Sequence, residues 1–506
     1  MDARPTANPT GHAPSEPATP ESAVPPAVPQ DSMVASRHEV QAGGRTLHYT
    51  ATTGRIVLRE ETYEDDVFAG VKPKAQVSVT SYVLDQPTGA PSRPVTFAFN
   101  GGPGSSSVWL HLGLLGPRRV LAGDAGALTA PPGALVDNAE TLLTVSDLVF
   151  IDPVSTGYSR AVEGEKSKGY HGYAGDVESV AEVIRLWITR NNRWLSPKFL
   201  AGESYGTLRA AALSDHLQSR YSMYLNGLIL ISSVLDLGSI GLSDGAEDHA
   251  YVNFLPTYAA IAWYHGKHDG RTLNDVLADA ESYCERDYPW ALSRGNRLPP
   301  AQLAEHCARV GALIGVDPDW VRGADLRVEH LRFFAELLRD QGLVVGRLDS
   351  RFTGPAGAGN AERPDADPSH DAVAGPFAAA FNHYVRDELG YESDLHYEQI
   401  SSRVHPWSFQ EFEGRAVSVA DRLSRAMRQN PHLRIQVSYG WFDGATPYYA
   451  ARQVLAQLRV PAEAMQRVEH RYYDAGHMMY VHHASRLAQS ADLADFITRS
   501  CGPTED

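Results

Sequence analysis

A chain of 506 residues with 43% hydrophobic and 21% charged side chains can bury a large core, as one α/β domain with insertions or as several domains. Its formal charge of −16 argues against a nucleic-acid surface, which needs clustered Lys and Arg to replace phosphate counterions, and no apolar run reaches membrane-spanning length. Three cysteines, Cys284, Cys307 and Cys501, are too few for a disulfide framework and lack metal-ligand spacing, so no metal is expected; Cys284 and Cys307 could form the one bridge available in an oxidising compartment but read first as separate buried thiols.

The first stretch, 1–41, is rich in Pro, Ala, Thr and Ser, has no signal-peptide h-region and is expected to be disordered. As given, the sequence points to the cytoplasm, or to the periplasm or exterior if a signal peptide has been removed. From Arg45 onward, short stretches alternate apolar and polar residues (Arg45 to Thr50, Gly54 to Leu58, Ala75 to Leu84), the pattern of antiparallel strands with one wet face. Pro94 to Phe99 is more continuously apolar and runs into Asn100-Gly101-Gly102-Pro103-Gly104-Ser105-Ser106-Ser107, a glycine cluster that lets backbone approach a ligand. Asp147 to Ile151 is another buried strand. The helical spacing of Val177, Val180, Ala181, Ile184, Trp187 and Ile188 follows it, and then Lys198 to Ala201.

That last strand meets Gly202-Glu203-Ser204-Tyr205-Gly206, and a helical pattern begins at Thr207. A Gly-x-Ser-x-Gly at a strand-to-helix junction is the nucleophile elbow of an α/β hydrolase, whose strained turn lifts the serine hydroxyl above the sheet. Ser204 is thus the candidate nucleophile. In that fold the loop after the early strand and the residue after the nucleophile each give an N–H to the oxyanion hole, roles that fall to Gly102 and Tyr205.

Gly227 to Ile231 is the next strand. From about Gly238 to Trp407 helical patterns dominate, for example Val328, Leu331, Phe334, Ala335 and Leu338, broken at Arg286 to Pro300 and at the Gly/Pro/Asp-rich Thr353 to Pro376. This 238–407 insertion is expected to be a helical cap between two parts of the hydrolase core, 42–237 and 408–506. Its aromatics Tyr251, Phe254, Tyr258, Trp263 and Tyr264 read as core. Asp365, Asp367 and Asp371 fit no calcium loop and read as a solvated segment. Strands resume at Leu433 to Tyr439 and Val468 to Tyr473, and a closing helix carries Leu487, Ala491, Ala494 and Ile497 on one face. Asp443 and His477 each follow one of these strands, in the order Ser, Asp, His that the fold uses for its triad. His482 and His483 fall where the last helix begins and read as surface. The expected architecture is therefore a mostly parallel central sheet with helices on both faces and a helical cap.

These residues resemble the serine carboxypeptidases of the α/β-hydrolase fold, as a divergent, bacterial-like member. The shared motifs are Asn100 to Ser107, Gly202 to Tyr205, Asp443 with Pro447, Gly476-His477-Met478, and the strand and turn from Asp147 to Ser159. The resemblance implies hydrolysis of peptides with a free C-terminus, whose carboxylate is bound by Asn100, the Gly101 amide and Glu203, with Met478 also touching substrate. It implies no cofactor, and no nucleic-acid or membrane partner; oligomeric state is left open. Two positions depart from the family. Ser105 replaces a disulfide-forming Cys, and Leu114 stands where a gapless count puts the family's second glutamate. Arg118 and Arg119 follow Gly116-Pro117, the Gly-Pro to which that count runs, and read as surface residues rather than a cationic clamp. The missing glutamate keeps an esterase or acyltransferase on the same triad as the alternative, and a non-catalytic binding protein as a remoter one.

Overall fold

The computed structural model describes residues 28–87, 89–242 and 247–502. Its centre is a ten-stranded sheet. In chain order, nine of these strands are β1 (Ser32–Ala42), β2 (Arg45–Glu64), β3 (Val67–Leu84), β4 (Val95–Phe99), β5 (Asp147–Ile151), β6 (Lys198–Glu203), β7 (Gly227–Ile231), β8 (Arg434–Gly440) and β9 (Val468–Tyr473). They lie in the order β1-β2-β3-β5-β4-β6-β7-β8-β9, and the short strand Arg160–Ala161 pairs with β3 off that path. Pairing is antiparallel from β1 to β5 and parallel from β5 through β9. The sheet is that of an α/β hydrolase.

Strands β4, β5 and β7 are buried along their whole length, as expected of parallel strands covered on both faces. Their side chains alternate between two cores. Phe97, Phe99, Val149, Ile151, Leu228 and Leu230 face a cluster built with helices α1 (Tyr173–Arg190) and α2 (Tyr205–Tyr221). Ala98, Leu148, Phe150, Ile229 and Ile231 face the other. Trp187 packs edge-on to Phe97 with ring centroids 5.6 Å apart, a core role.

Between β7 and β8 lie α3 (His249–Tyr264), α4 (Leu273–Glu285), α5 (Asp287–Arg294), α6 (Pro300–Ile314), α7 (Pro318–Gly323), α8 (His330–Glu336), α9 (Pro368–His383) and α10 (Ala420–Gln429). Helices α11 (Tyr448–Ala456) and α12 (His483–Cys501) follow, and α12 covers the second core through Leu493, Phe496 and Ile497. The insertion does not stand apart from the sheet. Tyr251, Phe254 and Tyr258 join the first core, whereas Val373, Phe377 and Phe381 of α9 join the second.

Several expectations are corrected. The stretch read as disordered to residue 41 contains β1 from Ser32, paired along β2; its first part, 1–27, lies outside the described residues. The separate strands read at 45–50 and 54–58 are one, because Gly54, at φ 149°, carries the chain past Met33 without a break. The interruption read at Arg286 to Pro300 holds α5, whose Pro289 sits in the first turn where no intrahelical N–H bond is lost. The second interruption ends early, since Asp367 caps α9 and Pro368 occupies its first position. Helix α8 is shorter than the pattern from Val328 to Leu338. On α12 the buried face carries Arg486, Gln489 and Ser490, while Leu487 is exposed: polar residues that find partners inside defeat apolar periodicity. All three cysteines are free, with Cys284 and Cys307 buried.

Candidate active site

The residues singled out in the sequence gather at the C-terminal ends of the parallel strands. Ser204 ends β6 with φ 60° and ψ −131°, a conformation costly for any residue with a side chain. Small neighbours permit it. A Cβ at Gly202 would lie 2.1 Å from the Gly206 carbonyl oxygen, and one at Gly206 would lie 2.7 Å from that of Phe99. The Ser204 N–H donates to the Ile231 carbonyl at 3.0 Å, which ties the elbow to the neighbouring strand.

Asp443 follows β8 and His477 follows β9. Their side chains meet at 2.8 Å, from Nδ1 to Oδ2, with Asp443 1% and His477 5% exposed. The amides of Ala445 and Thr446 each donate to Asp443 Oδ1 at 2.9 Å, and the Thr446 hydroxyl donates to Oδ2 at 2.7 Å. Both carboxylate oxygens are thereby fixed. Burial, the largest influence on His477, pulls its proton affinity down, but the charge and hydrogen bond of Asp443 outweigh it and leave the imidazole raised. Ser204 and His477 line one cavity of about 240 Å³. No hydrogen bond joins their side chains among the described residues; such contacts are often loose without substrate.

The glycine loop closes the other side of this cavity. A Cβ at Gly101 would lie 2.4 Å from the Tyr205 nitrogen, so the loop is pressed against the amide of the elbow. Gly102, at φ 103°, lines the cavity with Asn100, Gly101 and Met478. Arg209 of α2 holds the loop in place: its Nε bonds Asp176 at 2.8 Å and its Nη1 bonds the Asn100 carbonyl at 2.6 Å, deep in the core. Asn100 is fixed at both ends of its amide. The Leu110 N–H donates to Oδ1 at 3.1 Å, which turns Nδ2 toward Glu203 Oε1 at 2.8 Å.

Glu203 is 3% exposed. Burial is the main reason its carboxyl is pushed up to about 7, against smaller downward influences from His477, Tyr480 and Asn100. The Tyr480 hydroxyl faces this carboxyl but stands outside hydrogen-bond geometry, so Glu203 Oε2 and Tyr480 Oη are both buried without a partner among the described residues. Leu114 does not line the cavity; it packs in the second core, 1% exposed. Arg118 pairs with Asp137 and Glu388 away from the site, and Arg119 lines a different cavity with Arg486 and His483.

Sequence reasoning missed what the insertion brings. Arg347, Leu348, Asp367, His370 and Ile400 all line the cavity that holds Ser204 and His477, as does Trp109 of the helical turn after the glycine loop. Asp367, read as part of a solvated segment, accepts the amides of Arg347, Leu348 and Ser369 and so binds two pieces of the insertion together. The Leu348 carbonyl in turn accepts the His477 N–H at 2.6 Å. The aspartate cluster was a visible signal for this junction, but its partners are backbone amides, which carry no sequence signature.

Comparison with known proteins followed from this geometry. Among solved structures, a prohormone-processing carboxypeptidase from Saccharomyces cerevisiae, Kex1(Δ)p, matches with TM-score 0.54 at 14% identity, covering 90% of this chain and 92% of that one, a likeness that shows the fold. A soluble variant of monoglyceride lipase from Saccharomyces cerevisiae matches with TM-score 0.35 at 10% identity over 88% and 97% of the two chains. Juvenile hormone epoxide hydrolase from the silkworm Bombyx mori matches with TM-score 0.35 at 11% identity over 89% and 79%. A sequence search of curated proteins returned no match. The model of the serine carboxypeptidase family matches residues 74–491, most of the chain, and the protein belongs to that family.

Proposed function

We propose that the protein removes C-terminal residues from peptides through an acyl-enzyme. Ser204 Oγ attacks the last peptide carbonyl as its proton passes to His477 Nε2, and Asp443 holds the imidazole with Nδ1 protonated. The amides of Gly102 and Tyr205 receive the oxyanion. Collapse expels the terminal residue as an amine that takes the proton from His477, and water then repeats the sequence on the acyl group.

The observation that carries this reading is the Glu203 carboxyl beside Ser204, buried, raised to about 7, held by Asn100 on one oxygen and unpartnered on the other. A carboxyl that keeps its proton can donate to a substrate carboxylate; an ionised one repels it. Asn100 and the Gly101 amide supply the remaining donors. One observation favours the esterase or acyltransferase reading: Leu114 is buried in the core, so that position sends no second carboxyl to stand beside Glu203.

The test compares blocked dipeptides with the same compounds amidated at the C-terminus, alongside a fluorophosphonate probe. The expected result is labelling that depends on Ser204 and His477, and a large loss of kcat/KM on amidation. Equal turnover of acid and amide would overturn carboxylate recognition, and absence of labelling would overturn the triad.

A further inference from the structure

Charged groups that line the catalytic cavity are nearly all engaged within the protein. His477 is paired with Asp443, Glu203 is held by Asn100, and His370 lies 3.7 Å from Asp371. Asp367 accepts the amides of Arg347, Leu348 and Ser369 and the Ser369 hydroxyl. Arg347 differs. Among the described residues its exposed guanidinium has neither an ion-pair nor a hydrogen-bond partner, although Asp367 shares the same wall. Elsewhere the pattern is reversed, with arginines such as Arg118, Arg209, Arg327, Arg351 and Arg425 spent on carboxylates.

The backbone that presents Arg347 is firmly placed. The Gly346 N–H bonds the Phe352 carbonyl at 2.9 Å, and the Ser350 N–H bonds the Phe442 carbonyl at 3.0 Å, next to Asp443. Asp349 pairs with Arg351 and sits so close to the catalytic turn that a Cβ at Gly476 would lie 2.4 Å from its Cα. The loop therefore places Arg347 in the wall that also holds His477, and its charge is felt there as a lowering influence on the imidazole. An arginine offers several N–H donors in a planar fork matched to a carboxylate, and its charge persists at any working pH.

We propose that Arg347 is a specificity-determining residue that binds the carboxylate of an acidic side chain, Asp or Glu, in the residue on one side of the scissile bond. This rests on the carboxypeptidase reading, in which the buried Glu203 and Asn100 take the terminal carboxylate. Arg347 is exposed at the rim, so it is placed for a second carboxylate further out. On a chain of net charge −16, such a free cation at the mouth offers local attraction where the protein as a whole repels acidic peptides.

The experiment measures kcat/KM on blocked peptides with a free C-terminus that carry Glu, Gln or Lys at the last or the preceding position. At one of these positions the wild type is expected to prefer Glu over Gln on the order of fivefold, the scale of a partly exposed ion pair, with the ratio shrinking in high salt. Arg347→Gln is expected to bring that ratio to one, Arg347→Lys to restore part of it, and Arg347→Glu to reverse it in favour of Lys. Fluorophosphonate labelling of each variant checks that its site is folded. A wild-type ratio of one at both positions, or a ratio unmoved by Arg347→Gln, would overturn the proposal while leaving the peptidase reading standing. Loss of discrimination only between C-terminal acid and amide would also overturn it, because Arg347 would then serve the terminal carboxylate. Failure to cleave any of the peptides would overturn both readings.

Discussion

Replacing Glu203 by Gln isolates the group on which the proposed carboxylate recognition rests. With the carboxyl titrating at about 7, it is half protonated at pH 7 and about one-hundredth protonated at pH 9, a fall of about 50-fold in the protonated fraction. That fall sets the upper bound on the fall in kcat/KM for a peptide with a free C-terminus across that interval, since the raised His477 also holds back activity at pH 7. Toward acid, activity should fall again as His477, raised by Asp443, takes up the proton it must be free to accept. The two groups influence each other, so the limbs of the bell belong to the pair. Glu203→Gln is neutral at every pH and should lose the alkaline limb, and the wild type acting on an amidated substrate should lack it as well. Stability gives a second readout. Between pH 4.5 and about 7 the folded protein keeps a proton that the unfolded chain has released, so wild-type stability falls as pH rises through that window. At roughly 1.4 kcal/mol per pKa unit, the variant should gain up to about 3 kcal/mol over the wild type at pH 8 and nothing at pH 4, measured by urea unfolding. Peptide kcat/KM that is flat from pH 7 to 9, or that falls equally in Glu203→Gln, would refute the reasoning.

The Tyr480 hydroxyl lowers the proton affinity of Glu203, so Tyr480→Phe should move the alkaline limb to higher pH; a shift toward acid would contradict the contact. Gly101→Ala puts a methyl group 2.4 Å from the Tyr205 nitrogen and should abolish peptide turnover even where circular dichroism shows a folded chain. Arg209→Met strands the buried Asp176 and frees the Asn100 carbonyl, with an expected cost of roughly 3–5 kcal/mol in denaturant unfolding, partly recovered by adding Asp176→Leu. Ser204→Gly and Ser204→Ala should both be inactive, but the glycine variant should be more stable by about 1 kcal/mol because φ 60° is strained for alanine; equal melting temperatures would argue against stored strain at the elbow.

What could be read from the sequence followed the burial of each element. Strands β5 and β7 match their sequence boundaries residue for residue, since a parallel strand covered on both faces is a continuous apolar run ended by turn residues; β9, an edge strand only partly buried along its middle, matches as well. Ser204, Asp443 and His477 were legible because each sits in a turn whose glycines and prolines are constrained by the same geometry that exposes the side chain. The wall supplied by the insertion was not. Arg347 lies in a short loop after the strand Leu343–Val345, held by backbone bonds to Phe352 and Phe442 that any sequence of suitable shape would make, and by its own amide on the Asp367 carboxylate, whose partner the sequence does not name. The buried face of α12 was hidden for a related reason: Arg486 reaches Glu140 and Gln489 contacts Met479, so polar residues occupy a core that periodicity assigns to Leu487.

Under the proposed reading, Leu114 in place of the expected second glutamate would change the character of carboxylate recognition, not only its strength. Two carboxyls facing one substrate would share a proton, and their titration would be a property of the pair. Here the leucine side chain is in the core, and the group that faces Glu203 is the Tyr480 hydroxyl, whose own ionisation is pushed well above 10 by burial. A tyrosine stays neutral across the working range and can donate a hydrogen bond without adding a second acid to the site. Its ring is fixed by close packing, since a Cβ at Gly113, one residue before Leu114, would lie 2.3 Å from it. The turn before Leu115 thus serves here to seat a tyrosine, and under the proposed carboxypeptidase reading Glu203 would be the carboxyl whose protonation makes terminal-carboxylate binding depend on pH.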